Sequence, residues 1–163
     1  MRWRTSVSRP PRLLGFDYRG PNRYLITCCI HLRQDLLSDD RVAFETLMQF
    51  RITAAEEGFA ILAYCLMPDH AHLLVEGLTA ESDLPRFVRI GKQRAAYLYS
   101  RATGGRRLWQ EGFHDRTLRS DDDVKATARY VIENPVRAGL VSSPFDYKHC
   151  GSDLWPIADI LSA

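Results

Sequence analysis

The order of hydrophobic and polar positions along the chain divides it into strands and helices. Residues 23–30, Arg-Tyr-Leu-Ile-Thr-Cys-Cys-Ile, are rich in β-branched and aromatic side chains and read as a strand. Ser38-Asp39-Asp40 then looks like a helix cap. Val42, Ala43, Leu47, Phe50, Ala54 and Ala55 follow at helical spacing as far as Glu57, where Gly58 supplies a stop. A second strand is expected over 59–67 and a third over 70–76, joined by a tight turn at Pro68-Asp69 to make a hairpin. A second helix is expected over 83–100. Leu84, Phe87, Val88, Ala95 and Leu98 form its apolar face, and Thr103-Gly104-Gly105 breaks it. An irregular segment from Leu108 leads to a short fourth strand over 116–119. Ser120-Asp121-Asp122-Asp123 resembles a capping box, with acids where the helix dipole favours them. The third helix so started runs to about residue 134, because Pro135 biases its predecessor away from helix. Residues 136–140 read as one more turn, closed by Gly139.

This order is strand, helix, strand, strand, helix, strand and an extra helix. It predicts an α+β fold of the ferredoxin-like βαββαβ kind: an antiparallel sheet with two helices on one face. The additional C-terminal helix is expected to cross the open face. Residues 1–163 read as a single domain. Residues 1–20, with Pro10-Pro11, form an extended arm, and the aromatic tail at 142–163 is expected to pack back on the domain.

Composition changes this picture little. Of 163 residues, 45% are hydrophobic and 26% charged, as in an ordinary globular domain. No apolar run approaches the roughly 20 residues of a membrane span, and the arginine-rich start does not resemble a secretory signal. Cys28, Cys29, Cys65 and Cys150 have no C-x-x-C spacing, so they read as reduced packing thiols of a cytoplasmic protein.

The net charge is only +2, but its distribution is informative. Between residues 84 and 110 stand Arg86, Arg89, Lys92, Arg94, Arg101, Arg106 and Arg107, and no acid. Arg2, Arg4, Arg9 and Arg12 precede the first acid, Asp17. A solvated helix face usually mixes both signs, so this segregation favours a surface that follows phosphates. With Arg116, the cations between 84 and 116 are the expected DNA contacts.

The chemistry centres on His70-Ala71-His72. On a strand, side chains alternate between faces, so both imidazoles point the same way and supply half of a divalent-metal site. Alone, the pair is equally a polar turn. Tyr130 and Asn134 are four apart on the third helix and share one face. That face can deliver an amide oxygen to a metal and a phenol beside it. A phenol is a plausible nucleophile on phosphorus if a metal or a base helps it ionise. Glu133 points about 100° away from Asn134 and is left out.

Three segments in order resemble the single-tyrosine HUH transposases. Met67-Pro68-Asp69-His70-Ala71-His72-Leu73-Leu74 is similar to that family's M-P-N-H-x-H-L-L motif. The stretch from Leu108 to Arg116 is similar to its W-Q-x-x-F-x-[DE]-[RH] segment. The stretch from Tyr130 to Val141 is similar to its Y-I-x-x-N-P-V-[RK]-A-G-L-V segment. Together they span roughly residues 21–145 and look most like the REP-associated branch, which handles short palindromic repeats. Asp69 stands where asparagine is commoner, and Ala71 is smaller than usual. The segment 146–150 departs from the family's ending.

The resemblance implies that His70 and His72 bind a divalent metal, Mg²⁺ or Mn²⁺. It places Asn134 as a third, amide ligand and Tyr130 as nucleophile. The implied substrate is a single-stranded DNA hairpin at a palindromic repeat, cleaved and rejoined through a 5′-phosphotyrosine. Tyr97, Tyr99 and Trp109 are candidates to stack on unpaired bases. The other reading is a domesticated hairpin-binding protein without strand transfer. A histidine-triad hydrolase is set aside because position 74, where a third histidine belongs, is leucine. The pattern is neutral between a monomer and a homodimer.

Overall fold

The computed structural model describes residues 14–119 and 122–162. Its first strand, β1 (Arg23–Cys29), is followed by helix α1 (Asp40–Glu57). The hairpin of β2 (Phe59–Met67) and β3 (His70–Gly77) comes next, then helix α2 (Leu84–Thr103) and β4 (His114–Leu118). With a last short strand, β5 (Cys150–Gly151), a single five-stranded sheet has the order β4-β1-β3-β2-β5, with every described pairing antiparallel. This is the ferredoxin-like arrangement extended at one edge by β5.

Local chemistry accounts for the element ends. The Asp39 carboxylate caps α1 by accepting from the backbone N–H groups of Arg41 and Val42. Gly58 ends the same helix at φ 71°, a left-handed conformation that glycine takes without steric cost. Asp83 caps α2 rather than forming its first turn.

Both faces of the sheet are covered. Tyr24, Ile26 and Cys28 of β1, with Ala71, Leu73 and Val75 of β3, pack on Phe50, Phe87 and Val88 of α1 and α2. Leu74 and Met67 face the other way, against Ala128, Val131 and Ile132 of helix α3 (Val124–Ile132). The extra helix therefore does cross the open face. It is shorter than expected: Glu133 ends it, and Pro135 opens a separate turn, α4 (Asn134–Arg137).

Other differences from expectation have physical causes. The fourth strand starts at His114, two residues early, because pairing with β1 defines it and its largely polar sequence gives no apolar signal. Tight turns at His31–Arg33 and Leu36–Ser38, and a short helix α5 (Ile157–Leu161), have no periodicity to announce them. The tail packs back on the sheet. The Tyr147 hydroxyl donates to Leu66 O at 2.8 Å, the Ser152 hydroxyl donates to Leu62 O at 2.6 Å, and Ile160 is fully buried. Of the basic arm, Arg2, Arg4, Arg9 and Arg12 lie outside the described residues, as do Ser120 and Asp121.

Candidate active site

The two histidines open an inner strand. His72 is paired with Thr27 of β1 on one side and Cys65 of β2 on the other, and His70 with Cys29 and Met67. Strand alternation sends Ala71 and Leu73 into the α1–α2 core, so His70 and His72 must emerge on the α3 side.

Their Nε2 atoms lie 3.0 Å apart. Each ring is held from behind through Nδ1. His70 Nδ1 is 2.6 Å from an Asp69 carboxylate oxygen, and His72 Nδ1 is 2.9 Å from the Thr27 hydroxyl. Nδ1–H of His70 donates to that carboxylate, which leaves the Nε2 lone pair facing outwards. The Thr27 hydroxyl can donate or accept, so it suits either tautomer of His72. Burial lowers the pKa of both rings, and it carries His72 down to about 3, helped by the neighbouring His70. Both imidazoles are therefore neutral at pH 7, the form that binds metals.

These residues fit a divalent cation. Two ligand atoms at right angles on one cation, each about 2.1 Å from it, are about 3.0 Å apart. Among the described residues, no group of three or more His, Cys, Asp or Glu side chains converges to hold a metal. A cation here would thus have two protein nitrogens and would need its other ligands from amide, water or substrate oxygens.

Tyr130 comes from α3, across the cleft. The Asp123 carboxylate caps that helix through the N–H groups of Lys125 and Ala126. Ala128, Val131 and Ile132 fix its inner face on the sheet, which leaves Tyr130 on its rim, 40% exposed. The Tyr130 ring centroid is 6.4 Å from that of His72, and the Arg137 guanidinium lies 4.8 Å from the ring centre. Glu133 pairs with both Arg129 and Arg137, which steadies that guanidinium. Asn134 sits at the start of α4. Its amide nitrogen donates to Tyr130 O at 2.8 Å and Val131 O at 3.4 Å, and it does not line the cleft.

The cleft encloses about 720 Å³. His70, His72 and Tyr130 line it, together with Thr27, Arg33 and His114, which sequence reasoning did not place there. Thr27 and His114 could have been found by strand parity, since both stand in the same transverse row as His72. No pattern announces Arg33. It follows Leu32 in a turn where both residues take φ 54°. Such left-handed conformations cost of order 1–2 kcal/mol each for residues bearing a Cβ.

Arg116 is the one expected DNA contact that reaches this cleft. Arg86 pairs with Glu57, and Arg94 with Glu56 and the Thr53 hydroxyl. The Lys92 ammonium donates to the carbonyls of Gln110 and Gly112 and lies over the Trp109 ring. Arg107 donates to Trp109 O, and Arg101 lies over Tyr97. Arg89, Arg101, Arg106 and Arg107 are exposed, as is Tyr97, whereas Tyr99 and Trp109 are buried. These cations of α2 and the loop after it are not among the residues lining the cleft.

Comparison with known proteins gives the family of the chain that carries this cleft. The family described as "Transposase IS200 like" matches residues 22–134, and the chain belongs to that family. Within it, the chain is similar to REP-associated tyrosine transposases. It is 26% identical over 150 residues to a Haemophilus influenzae protein named "Putative REP-associated tyrosine transposase", covering 82% of this chain and 81% of that protein. It is 28% identical over 90 residues to the REP-associated tyrosine transposase of Escherichia coli K12, covering 55% and 52%. In three dimensions it matches the structure of a REP-associated tyrosine transposase bound to a REP hairpin. The TM-score is 0.70 at 20% identity, with 86% of this chain and 82% of that one covered. At that identity the match establishes the fold alone. Among the described residues, no helix is long and apolar enough to cross a membrane.

Proposed function

We propose that this protein cleaves and rejoins single-stranded DNA at palindromic repeat hairpins, with Tyr130 as nucleophile and a divalent cation, Mg²⁺ or Mn²⁺, held by His70 and His72. The observation that carries this reading is the convergence of two neutral imidazoles, Nε2 to Nε2 at 3.0 Å, beside the Tyr130 ring. When bound, the cation supplies Lewis acidity at the scissile phosphate.

The protein's own groups do the rest. The His-bearing strand and α3 hold the phosphate and the phenol in one cleft, so attack becomes an intramolecular problem of orientation. The Tyr130 oxygen displaces the 3′ oxygen in line, forming a 5′-phosphotyrosine and a free 3′-OH. A 3′-OH later attacks that bond, restores the tyrosine and joins DNA without hydrolysis. The covalent bond conserves the energy of the broken phosphodiester, so no nucleotide triphosphate is needed. Arg116 and Arg33 line the cleft, and Arg116 is proposed to meet backbone phosphates there. Asn134 lies outside the cleft lining, and its amide oxygen is proposed to become the third ligand once a cation is bound. Its nitrogen faces two carbonyls, so the orientation of the amide is set, and no described hydrogen bond uses its oxygen. The exposed arginines of α2 and the loop after it are proposed to hold the hairpin stem through phosphates, and Tyr97 to stack on an unpaired base.

The test is direct. The protein is incubated with a labelled single-stranded hairpin and Mg²⁺ or Mn²⁺ and run on a denaturing gel. A covalent adduct that disappears in Tyr130→Phe supports the reading. An adduct that survives Tyr130→Phe sinks it, and binding without an adduct supports a domesticated hairpin-binding protein instead.

A further inference from the structure

The turn leading out of β1 is conformationally costly, and that cost buries no apolar side chain. Leu32 and Arg33 both take φ 54°, and Leu32 is 74% exposed. What the turn does is carry the Arg33 guanidinium into the cleft. There Nη2 lies 2.9 Å from one oxygen of Asp69, and Nη1 donates to Cys29 Sγ at 2.9 Å. The other Asp69 oxygen accepts from His70 Nδ1 at 2.6 Å. One carboxylate thus bridges a guanidinium and an imidazole, using a different oxygen for each.

The backbone ties the two turns together independently. Ile30 N–H donates to Asp69 O, and Leu37 N–H donates to Pro68 O, both at 2.9 Å. The segment bearing Arg33 is therefore laced on both sides to the turn bearing Asp69. An asparagine at position 69 would accept the same imidazole hydrogen bond, but it would present no charge to Arg33.

We propose that Arg33 and Asp69 are a positioning pair for His70. The guanidinium fixes the carboxylate, and the carboxylate keeps the imidazole protonated at Nδ1 with Nε2 turned into the cleft. The inference rests on the reading of His70 as a cation ligand. An orienting carboxylate behind a metal-bound histidine makes it a better ligand, and loss of such a partner typically costs 10–100-fold in metal affinity.

The experiment uses the full chain without DNA. Mn²⁺ is titrated in, and the free ion is followed by electron paramagnetic resonance for wild type, Asp69→Asn, Arg33→Gln, Arg33→Lys and the Asp69→Asn/Arg33→Gln pair. Asp69→Asn is expected to weaken Mn²⁺ by about ten-fold. Arg33→Gln is expected to weaken it several-fold, with partial recovery in Arg33→Lys. The double variant should bind no more weakly than Asp69→Asn alone, because Arg33 acts through Asp69. Plain electrostatics predicts the opposite sign for Arg33→Gln, since removing a cation beside a cation site should tighten binding. Tighter or unchanged binding in Arg33→Gln, or additive effects in the pair, overturns the inference.

Nitrogen-15 shifts of the His70 ring give a second readout. They should report Nδ1–H in wild type and a mixture of tautomers in Asp69→Ala. A single Nδ1–H tautomer in Asp69→Ala also overturns the pairing. If Arg33→Gln does not fold, Arg33→Lys and Asp69→Asn still decide between the outcomes. Wild type binding Mn²⁺ with the variants unchanged removes this inference alone. Failure of wild type to bind removes it together with the cation-ligand reading.

Discussion

Tyr130 and His72 face each other across the cleft with their ring centres 6.4 Å apart, one on a helix and the other on an inner strand. Neither position is free to drift. His72 is locked by pairing on both sides of β3, and Tyr130 is locked by the burial of Val131 and Ile132 beneath it. Tyr130→Phe removes one oxygen from a half-exposed site. We expect adduct formation and strand transfer to fall to background while the thermal midpoint and hairpin affinity stay at wild-type values. A gel-shift assay beside the denaturing gel separates the two effects. A large loss of binding would assign the phenol to recognition and not to chemistry.

The cation-free protein should lose stability in acid through His72. Its folded pKa is depressed, to about 3, below the ordinary value of 6.5. Between those values the unfolded chain binds a proton that the folded chain refuses, so stability rises with pH across that window. The contribution is fully present above about pH 6.5 and is lost progressively as pH falls towards 3, on the order of a few kcal/mol in total. Thermal midpoints measured from pH 7 down to pH 4 should decline, and His72→Gln should flatten the slope. An unchanged slope in that variant would mean that other groups govern the acid limb.

The basic residues from α2 onwards divide by partner. Lys92→Ala should cost about 2 kcal/mol of stability, because its ammonium holds the carbonyls of Gln110 and Gly112. Its effect on hairpin affinity should be small once folding is taken into account. Arg89→Gln and Arg106→Gln should do the reverse, each lowering affinity and reducing the salt slope of binding by about one. Chemical denaturation and binding at several salt concentrations test the division. Equal salt slopes in all three variants would sink it.

Gly91 marks the closest approach of α2 to α1. A Cβ there would lie 2.7 Å from two ring carbons of Phe50, which is itself wedged edge-on against Phe87 and Trp109. Gly91→Ala should therefore destabilise by about 1–3 kcal/mol. That outweighs the roughly 1 kcal/mol that alanine gains in helix propensity. A higher midpoint in urea than wild type would show that Phe50 can move aside.

Much of this architecture is legible in residue order because it rests on local rules. Asp39 and Gly58 mark the ends of α1 through capping chemistry, and the unbroken apolar run from Phe59 to Met67, between Gly58 and Pro68, places β2 at its observed limits. The facing of His70 and His72 follows from strand geometry alone. What residue order conceals depends on contacts between distant segments. Nothing about Lys92 as a letter distinguishes it from Arg89, and only the fold brings two carbonyls to it. The turn at Leu32 and Arg33 is concealed for a different reason. Left-handed backbone is usually signalled by glycine or asparagine, and here the surrounding hydrogen bonds impose it on residues that disfavour it. Helical spacing puts Asn134 one turn after Tyr130, but it does not say that the amide nitrogen turns back onto the carbonyls of Tyr130 and Val131.

The pairing of β2 with β3 slips by one residue between Ile61 and Ala63. Before the slip, Phe59 and Ile61 face α1 and α2. After it, Leu66 does, while Cys65 and Met67 turn to the opposite face beneath α3. The irregularity reverses the odd–even parity of one strand halfway along and leaves its partner regular. It also makes the hairpin indexable in one alignment only, because a uniform slide would set the bulge against the wrong neighbours. Were β3 to shift by a single step, both imidazoles would be driven among Phe50 and Phe87 and the cleft would present Ala71 and Leu73. A packing fault well away from the histidines thus works as an error check on which way they point.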